Sequence, residues 1–132
     1  MLGSIGVALT GLDAASKKLY ASASNISNSD TVGSLDGTGR EAYTPIDTQY
    51  SAGGQGGVRT EFVNRNPAFV PSFAPGSPFA NEDGLVAAPN VNLDEELINS
   101  ATAAHAYKAN AFVIGKSQEL ADTLLDAFDK DA

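Results

Sequence analysis

With 132 residues, 13 glycines, 6 prolines and 8% aromatic residues, the chain is at most one domain and lacks the material for a large single core, which argues against a compact enzyme. Its net charge of −8 is concentrated late in the sequence, where ten of the 16 acidic residues follow Ala80 against Lys108, Lys116 and Lys130; such a balance repels nucleic acid and anionic lipid. Cysteine is absent, which excludes disulfides and thiolate metal sites, and no apolar run approaches the roughly eighteen residues of a membrane helix.

The first element is read from spacing. Leu2, Ile5, Leu9, Leu12, Ser16, Leu19, Ala23 and Ile26 recur at alternating steps of three and four, the pattern of a narrow helical stripe. This predicts a helix over about 4–26, loosened at its start by Gly3, Gly6 and Gly11, each up to about 1 kcal/mol less favourable than alanine. The first dozen residues have no basic leader and their apolar positions are periodic, so the N-terminus is expected to be retained and not cleaved as a signal peptide. Asn25, Asn28 and their Ser, Asp and Thr neighbours are turn residues that predict the end of the helix, and 33–39 reads as a flexible glycine loop.

Ile46, Thr48 and Tyr50 alternate on one face, and Val58, Thr60 and Phe62 do so again after the glycine-rich 53–57, predicting one β-hairpin. Pro67, Pro71, Pro75, Pro78 and Pro89 then punctuate an extended stretch over 66–89, where strand pairing is not expected because proline has no N–H to donate. The second helix is predicted from Asn92 to about Phe128. Asn92 is a good N-cap, Glu95 stands three residues later as in a capping box, and Asp94, Glu95 and Glu96 put negative charge at the positive helix end. Leu97, Ser100, Ala104, Tyr107, Ala111, Ile114, Gln118, Ala121, Leu125 and Phe128 form its stripe.

The fold class expected is therefore mainly α: long N- and C-terminal helices in a coiled-coil-like pair around a small β-hairpin and irregular insert. Three segments follow, 1–32 as one axial helix, 33–90 as the insert and 91–132 as the other helix. Against the entropy of ordering the chain, one helix packed on one other leaves too much stripe exposed, so the ends are expected to gain their order when several copies stack.

Features that suggest chemistry have simpler accounts. The acidic triplet 94–96 is explained by helix capping, and His105, the single histidine, has no second ligand or nucleophile at a recognisable spacing. Residues 25–27 fit a glycosylation sequon but sit at a helix end, and the 53–57 glycines lack the Lys-Ser/Thr of a phosphate loop.

Two runs carry a resemblance. Gly11-Leu12-Asp13-Ala14, followed by Ala23-Ser24-Asn25-Ile26-Ser27-Asn28 and Thr31, is similar to the N-terminal signature of axial flagellar proteins. Pro75-Gly76-Ser77-Pro78-Phe79-Ala80 through Gly84-Leu85-Val86, then Pro89-Asn90-Val91-Asn92, Glu96-Leu97 and Ala104-His105-Ala106-Tyr107-Lys108-Ala109-Asn110, resembles the rod proteins of the bacterial flagellar basal body, most of all the short proximal-rod type called FlgC. Departures are Ala14-Ala15-Ser16 where the family usually has Ala-Gln-Arg, Leu85 where tyrosine is common, and the glycine-rich hairpin tip.

The resemblance implies a structural protein and no enzyme, needing no cofactor and no metal. It implies a subunit that self-assembles through its terminal helices into a hollow proximal rod, a torque-transmitting drive shaft in the periplasm, in an open head-to-tail array. Expected partners are other copies, other flagellar rod proteins and the export gate or membrane ring at the rod base, with no nucleic acid and no membrane span. Export through the flagellar type III apparatus without a cleaved signal peptide is likewise implied. The expected assembly interface is Leu2, Ile5, Leu9, Leu12, Leu19, Ala23 and Ile26 with Leu97, Ala104, Tyr107, Ala111, Ile114, Ala121, Leu125 and Phe128, where small residues such as Ala104 and Ala111 permit close approach. The rival reading is an acidic coiled-coil adaptor or export-chaperone-like module that dimerises without polymerising.

Overall fold

The computed structural model describes residues 2–130. Helix α1 spans Leu2–Ser27, strands β1 (Ile46–Ala52), β2 (Val58–Asn64), β3 (Phe69–Phe73) and β4 (Leu85–Pro89) follow, and helix α2 runs over Leu93–Lys130, roughly 57 Å at 1.5 Å per residue. The two helices pack antiparallel: Asn25 meets Glu96 near one end of the pair, and Gly11 meets Asn110 further along. The fold is two long terminal helices packed together, as the periodicity predicted, with two small β-hairpins between them where one was expected.

The ends of the helices are closed locally. Asn28 donates both its backbone N–H and its Nδ2 to the Ser24 carbonyl, and Ser29 Oγ donates to the Ile26 carbonyl, satisfying acceptors that the last turn of α1 leaves open. At the start of α2, Asn92 Oδ1 accepts from the Asp94 and Glu95 N–H groups at 3.1 and 3.3 Å.

The first hairpin pairs Ile46 with Asn64 and Ala52 with Val58, and it lies along α1. Thr10 Oγ1 accepts from the Val58 N–H at 3.1 Å, Lys17 Nζ donates to the Thr60 carbonyl at 3.1 Å, and Tyr20 meets Phe62 with ring centroids 5.6 Å apart. Gly57 is needed at the tip. Its φ is +81°, and a Cβ there would stand 2.3 Å from Thr10 Oγ1.

The proline-rich stretch differs from its sequence expectation, because β3 and β4 form a second antiparallel hairpin with Pro71 opposite Ala87. The physical reason is register. Ala87 exchanges both of its backbone hydrogen bonds, each 2.9 Å, with Gly33 on its other side, so Pro71 occupies a non-hydrogen-bonded position and its missing N–H removes nothing from the ladder. The connecting turn is built by the motif at 75–86: Asn81 Oδ1 accepts from the Asp83 and Leu85 N–H groups, and Gly84 takes φ +75°.

The core is made of small side chains. Ala8, Ala14, Ala15, Ala21, Val86, Ala87 and Ala103 are its buried apolar members, with Ser22, Asn25, Thr60, Glu96 and Ser117 the buried polar ones. The helices therefore pair along a different line from the stripes of large residues. On α1 the line is Ala8, Gly11, Ala15 and Ser22, about 100° around the helix from the Leu2–Ile26 stripe; on α2 it includes Glu96, Ala103, Asn110 and Ser117. Close approach explains the choice: a Cβ on Gly11 would lie 2.5 Å from Asn110 Oδ1, so the backbones come nearer than leucine stripes allow. The small residues that permit this approach are Gly11, Ala15 and Ala103, whereas Ala111 is exposed.

Candidate functional site

Behind the helix pair sits a buried polar hub that fixes its geometry. Asn25 is fully buried, and its carboxamide treats Ile46 as a strand neighbour would: Nδ2 donates to the Ile46 carbonyl and Oδ1 accepts the Ile46 N–H, both at 2.9 Å. The same Nδ2 donates to Glu96 Oε1 at 2.9 Å, and Tyr43 Oη donates to Asn25 Oδ1 at 3.1 Å. Glu96, 1% exposed, also accepts from Arg65 Nη2 at 2.8 Å. Arg65 Nε donates to Asp47 at 3.0 Å, its Nη2 pairs with the same carboxylate, and Nη1 donates to the Asn90 carbonyl at 2.9 Å. One network thus joins α1, β1, the residues that follow β2 and β4, and the first turn of α2. Hydrogen bonding to Asp47, then to Glu96, raises the Arg65 pKa above its already high ordinary value against the opposing effect of burial, so the guanidinium stays charged.

Asn25 and Glu96 correct the sequence reading. Asn25 was expected to act in a turn that ends the helix, but it lies within the last turn of α1 and reaches across to β1. The reason is burial: a carboxamide is the side chain whose one donor group and one acceptor match a peptide unit. In the acidic triplet, Asp94 and Glu95 remain exposed at the helix start while Glu96 turns inward. Asn28 and Asn92 serve as local caps, and Glu95 contributes its backbone N–H to Asn92. Arg65 carried no periodic or motif signal at all; Asn25 and Glu96 lay in the quoted motifs, but nothing in the spacing paired them.

The stripes of large residues face outward. Leu9, Leu19 and Ala23 on α1, and Leu97, Tyr107, Ala111, Leu125 and Phe128 on α2, are exposed; Leu97, Leu125 and Phe128 reach 58%, 64% and 68%. Ile5, Leu12, Ile26, Ala104, Ile114 and Ala121 are half-buried, while the Leu2 side chain lies outside the described residues. Leu19 and Ala23 meet Ala104 and Tyr107 across a surface trough of about 400 Å³, with Ser16, Tyr20 and Lys108 completing it. A second apolar hollow of about 410 Å³ continues over Ser16 and Tyr20 to Phe62, edged by Lys17. The two hollows adjoin at Ser16 and Tyr20.

Catalytic geometry is not what this surface offers. His105 is exposed on the outer face of α2, and among the described residues no group of three or more His, Asp or Glu side chains is placed to hold a metal ion. Among the same residues no helix is long and apolar enough to cross a membrane.

The helix pair turns much of its apolar surface outward, and the family comparisons say which class of structural protein carries it. Residues 5–33 match the flagella basal body rod protein family, and residues 82–127 match the C-terminal region of the flagellar basal body rod FlgEFG proteins. These matches cover α1 to Gly33 and β4 through most of α2, leaving the first hairpin outside both.

The flagellar basal-body rod protein FlgC of Yersinia enterocolitica is 34% identical to this chain over 91% of it and 92% of its own length. FlgC of Salmonella typhimurium is 34% identical over 86% and 87%, and FlgC of Borreliella burgdorferi 29% identical over 91% and 92%. The chain belongs to the flagellar basal-body rod protein FlgC family. It is accordingly a non-enzymatic rod subunit of the basal body, and it assembles with other rod subunits.

Proposed function

We propose that this chain is a subunit of the proximal rod that polymerises through its outward helix stripes into a hollow, torque-bearing shaft. Residues 1–32 and 91–132 act as the axial helices and 33–90 as the insert that sets their spacing. The observation that carries this reading is the division of labour on the helices. Small residues bind α1 to α2 within one copy, which leaves Leu9, Leu19, Leu97, Tyr107, Leu125 and Phe128 free for neighbours. Exposed apolar surface on this scale marks interaction sites. Once buried between copies, close-packed side chains resist compression and supply torsional stiffness.

Partners beyond the rod itself are the export gate or membrane ring at its base, reached by flagellar type III export of the uncleaved chain into the periplasm. A small-residue core of modest stability suits a polypeptide that crosses a narrow channel unfolded.

Leu9→Asp and Leu97→Asp test the assignment, because both side chains are exposed and neither belongs to the intramolecular seam. Each variant should keep the circular dichroism of the wild type yet fail to build rods or support motility when it replaces the native chain. A motile strain carrying both substitutions refutes the reading. Sedimentation over a concentration series separates the adaptor alternative, which stops at a dimer.

A further inference from the structure

We propose that Pro71 guards the open edge of the second hairpin, keeping β3 from accepting a strand of another molecule and so closing this sheet to assembly. The proposal concerns the free chain and does not depend on the rod-subunit reading.

Register identifies the edge. The Asn90 N–H donates to the Ala68 carbonyl at one end of the ladder and the Ala74 N–H to the Gly84 carbonyl at the other, both at 2.9 Å. Antiparallel pairing alternates, so Val70 and Ser72 exchange their backbone bonds with Ala88 and Val86, while the backbone groups of Phe69, Pro71 and Phe73 point away from β4. The far edge of β4 is closed by its own chain. Asn81 bonds both backbone groups of Leu85, its Oδ1 accepting the N–H at 2.9 Å and its own N–H donating to the carbonyl at 3.0 Å. Gly33 takes both groups of Ala87, and Pro89 has no N–H while its carbonyl accepts from Val91 at 2.8 Å. On β3, in contrast, no hydrogen bond among the described residues reaches the outward groups of Phe69, Pro71 or Phe73.

Composition makes this edge a hazard. Between Arg65 and Glu82 there is no charged residue, and Phe69, Val70 and Phe73 are all exposed, Phe73 by 73%. An uncharged, apolar, solvent-facing strand is a template for pairing with another chain. The first hairpin carries Asp47, Arg59 and Glu61 in its strands, charges that resist such pairing, whereas β3 and β4 carry none. What β3 has is a proline at the middle of its three outward positions. An added strand would find no N–H at Pro71, and the ring would stand where the incoming carbonyl should lie. Because position 71 makes no hydrogen bond to β4, the block removes nothing from the hairpin itself.

The full-length Pro71→Val variant supplies the missing N–H in a residue that favours strands. Position 71 is exposed, so the dilute variant should keep the circular dichroism of the wild type and the slow amide exchange of Val70 and Ser72 that reports an intact hairpin. Incubated at high concentration, it should raise thioflavin T fluorescence several-fold above the wild type and give material with a strand spacing of about 4.7 Å in fibre diffraction. Ser72→Lys added to Pro71→Val should return the signal to the wild-type level, and Pro78→Val, the same change made in the connecting turn, should not raise it. A Pro71→Val chain with its hairpin intact and a signal no higher than that of Pro78→Val overturns the proposal. Sedimenting Pro71→Val assemblies with no rise in thioflavin T fluorescence likewise overturn it, while leaving intact the rod reading, which needs no strand pairing. If Pro71→Val loses the amide protection of the hairpin, Pro71→Ala, which restores the N–H with a smaller side chain, is held to the same two readouts and decides the matter.

Discussion

Replacing Asn25 by alanine removes four hydrogen bonds at once, and their geometry sets the size of the loss. The Ile46 N–H and C=O each lose their partner at 2.9 Å, Tyr43 Oη loses an acceptor, and Glu96 keeps only Arg65. A buried group left unpaired costs about 1–3 kcal/mol, and the two part-buried Ile46 groups dominate, so the expected destabilisation is about 2–4 kcal/mol. That is a large share of the 5–15 kcal/mol typical of a domain. With a urea slope of about 1–3 kcal/mol per molar, the unfolding midpoint should fall by roughly 1–2 M.

Asn25→Asp sharpens the argument: it keeps the acceptor for Ile46 N–H but turns the donor into an oxygen facing the Ile46 carbonyl and the Glu96 carboxylate. At neutral pH it should be at least as damaging as alanine, and it should recover partly in acid as the new carboxyl regains a proton to donate. Asn28→Ala, which removes the side-chain bond to the Ser24 carbonyl and a long 3.5 Å one accepted from Thr31 Oγ1, is the control and should cost about 1 kcal/mol. Circular dichroism during urea unfolding measures all three. An Asn25→Ala protein within about 1 kcal/mol of wild type refutes the claim that this carboxamide ties the helices to the hairpin.

Three further outcomes are expected. Gly11→Ala alone should destabilise the helix pair by about 1–2 kcal/mol, because its Cβ meets the Asn110 carboxamide; in an Asn110→Ala background the same change should stabilise by up to about 1 kcal/mol through helix propensity, a sign reversal that thermal unfolding reads directly. Gly57→Ala should loosen the first hairpin from α1 and raise amide exchange at Val58, whereas Gly54→Ala, with nothing within 4 Å of its Cβ, should change neither. Side-chain hydrogen bonds from Ser34 and then Thr38 lower the Asp36 pKa from 3.8 to about 2. The depressed value means that its contribution to loop order is complete above about pH 4 and is lost as pH falls towards 2, so exchange at the Thr38 amide should rise over that window and Asp36→Asn should abolish the rise.

Much of the architecture was legible because it rests on local rules. Alternating three- and four-residue spacing marked both helices, Asn92 marked the start of α2, and alternation around the 53–57 glycines marked the first hairpin. The second hairpin was missed because the lack of an N–H in Pro71 matters only if that N–H would point at a partner. Register decides this, and the deciding bonds come from Gly33, far away in sequence.

The residues themselves determined that both ends are helical, that each carries a stripe of large apolar side chains, and that the middle is built from turns and short strands. Only the tertiary structure decided which helix face turns inward. Ala8, Gly11, Ala15 and Ser22 have too little hydropathy to register as a stripe, yet they win the intramolecular contact because van der Waals packing and hydrogen bonds reward close backbone approach, which large side chains prevent. The same is true of Asn25, Arg65 and Glu96. Each is an ordinary polar residue in the linear chain, and their pairing exists only once α1, the first hairpin and α2 meet, since a buried polar group must find its partner wherever the fold brings one.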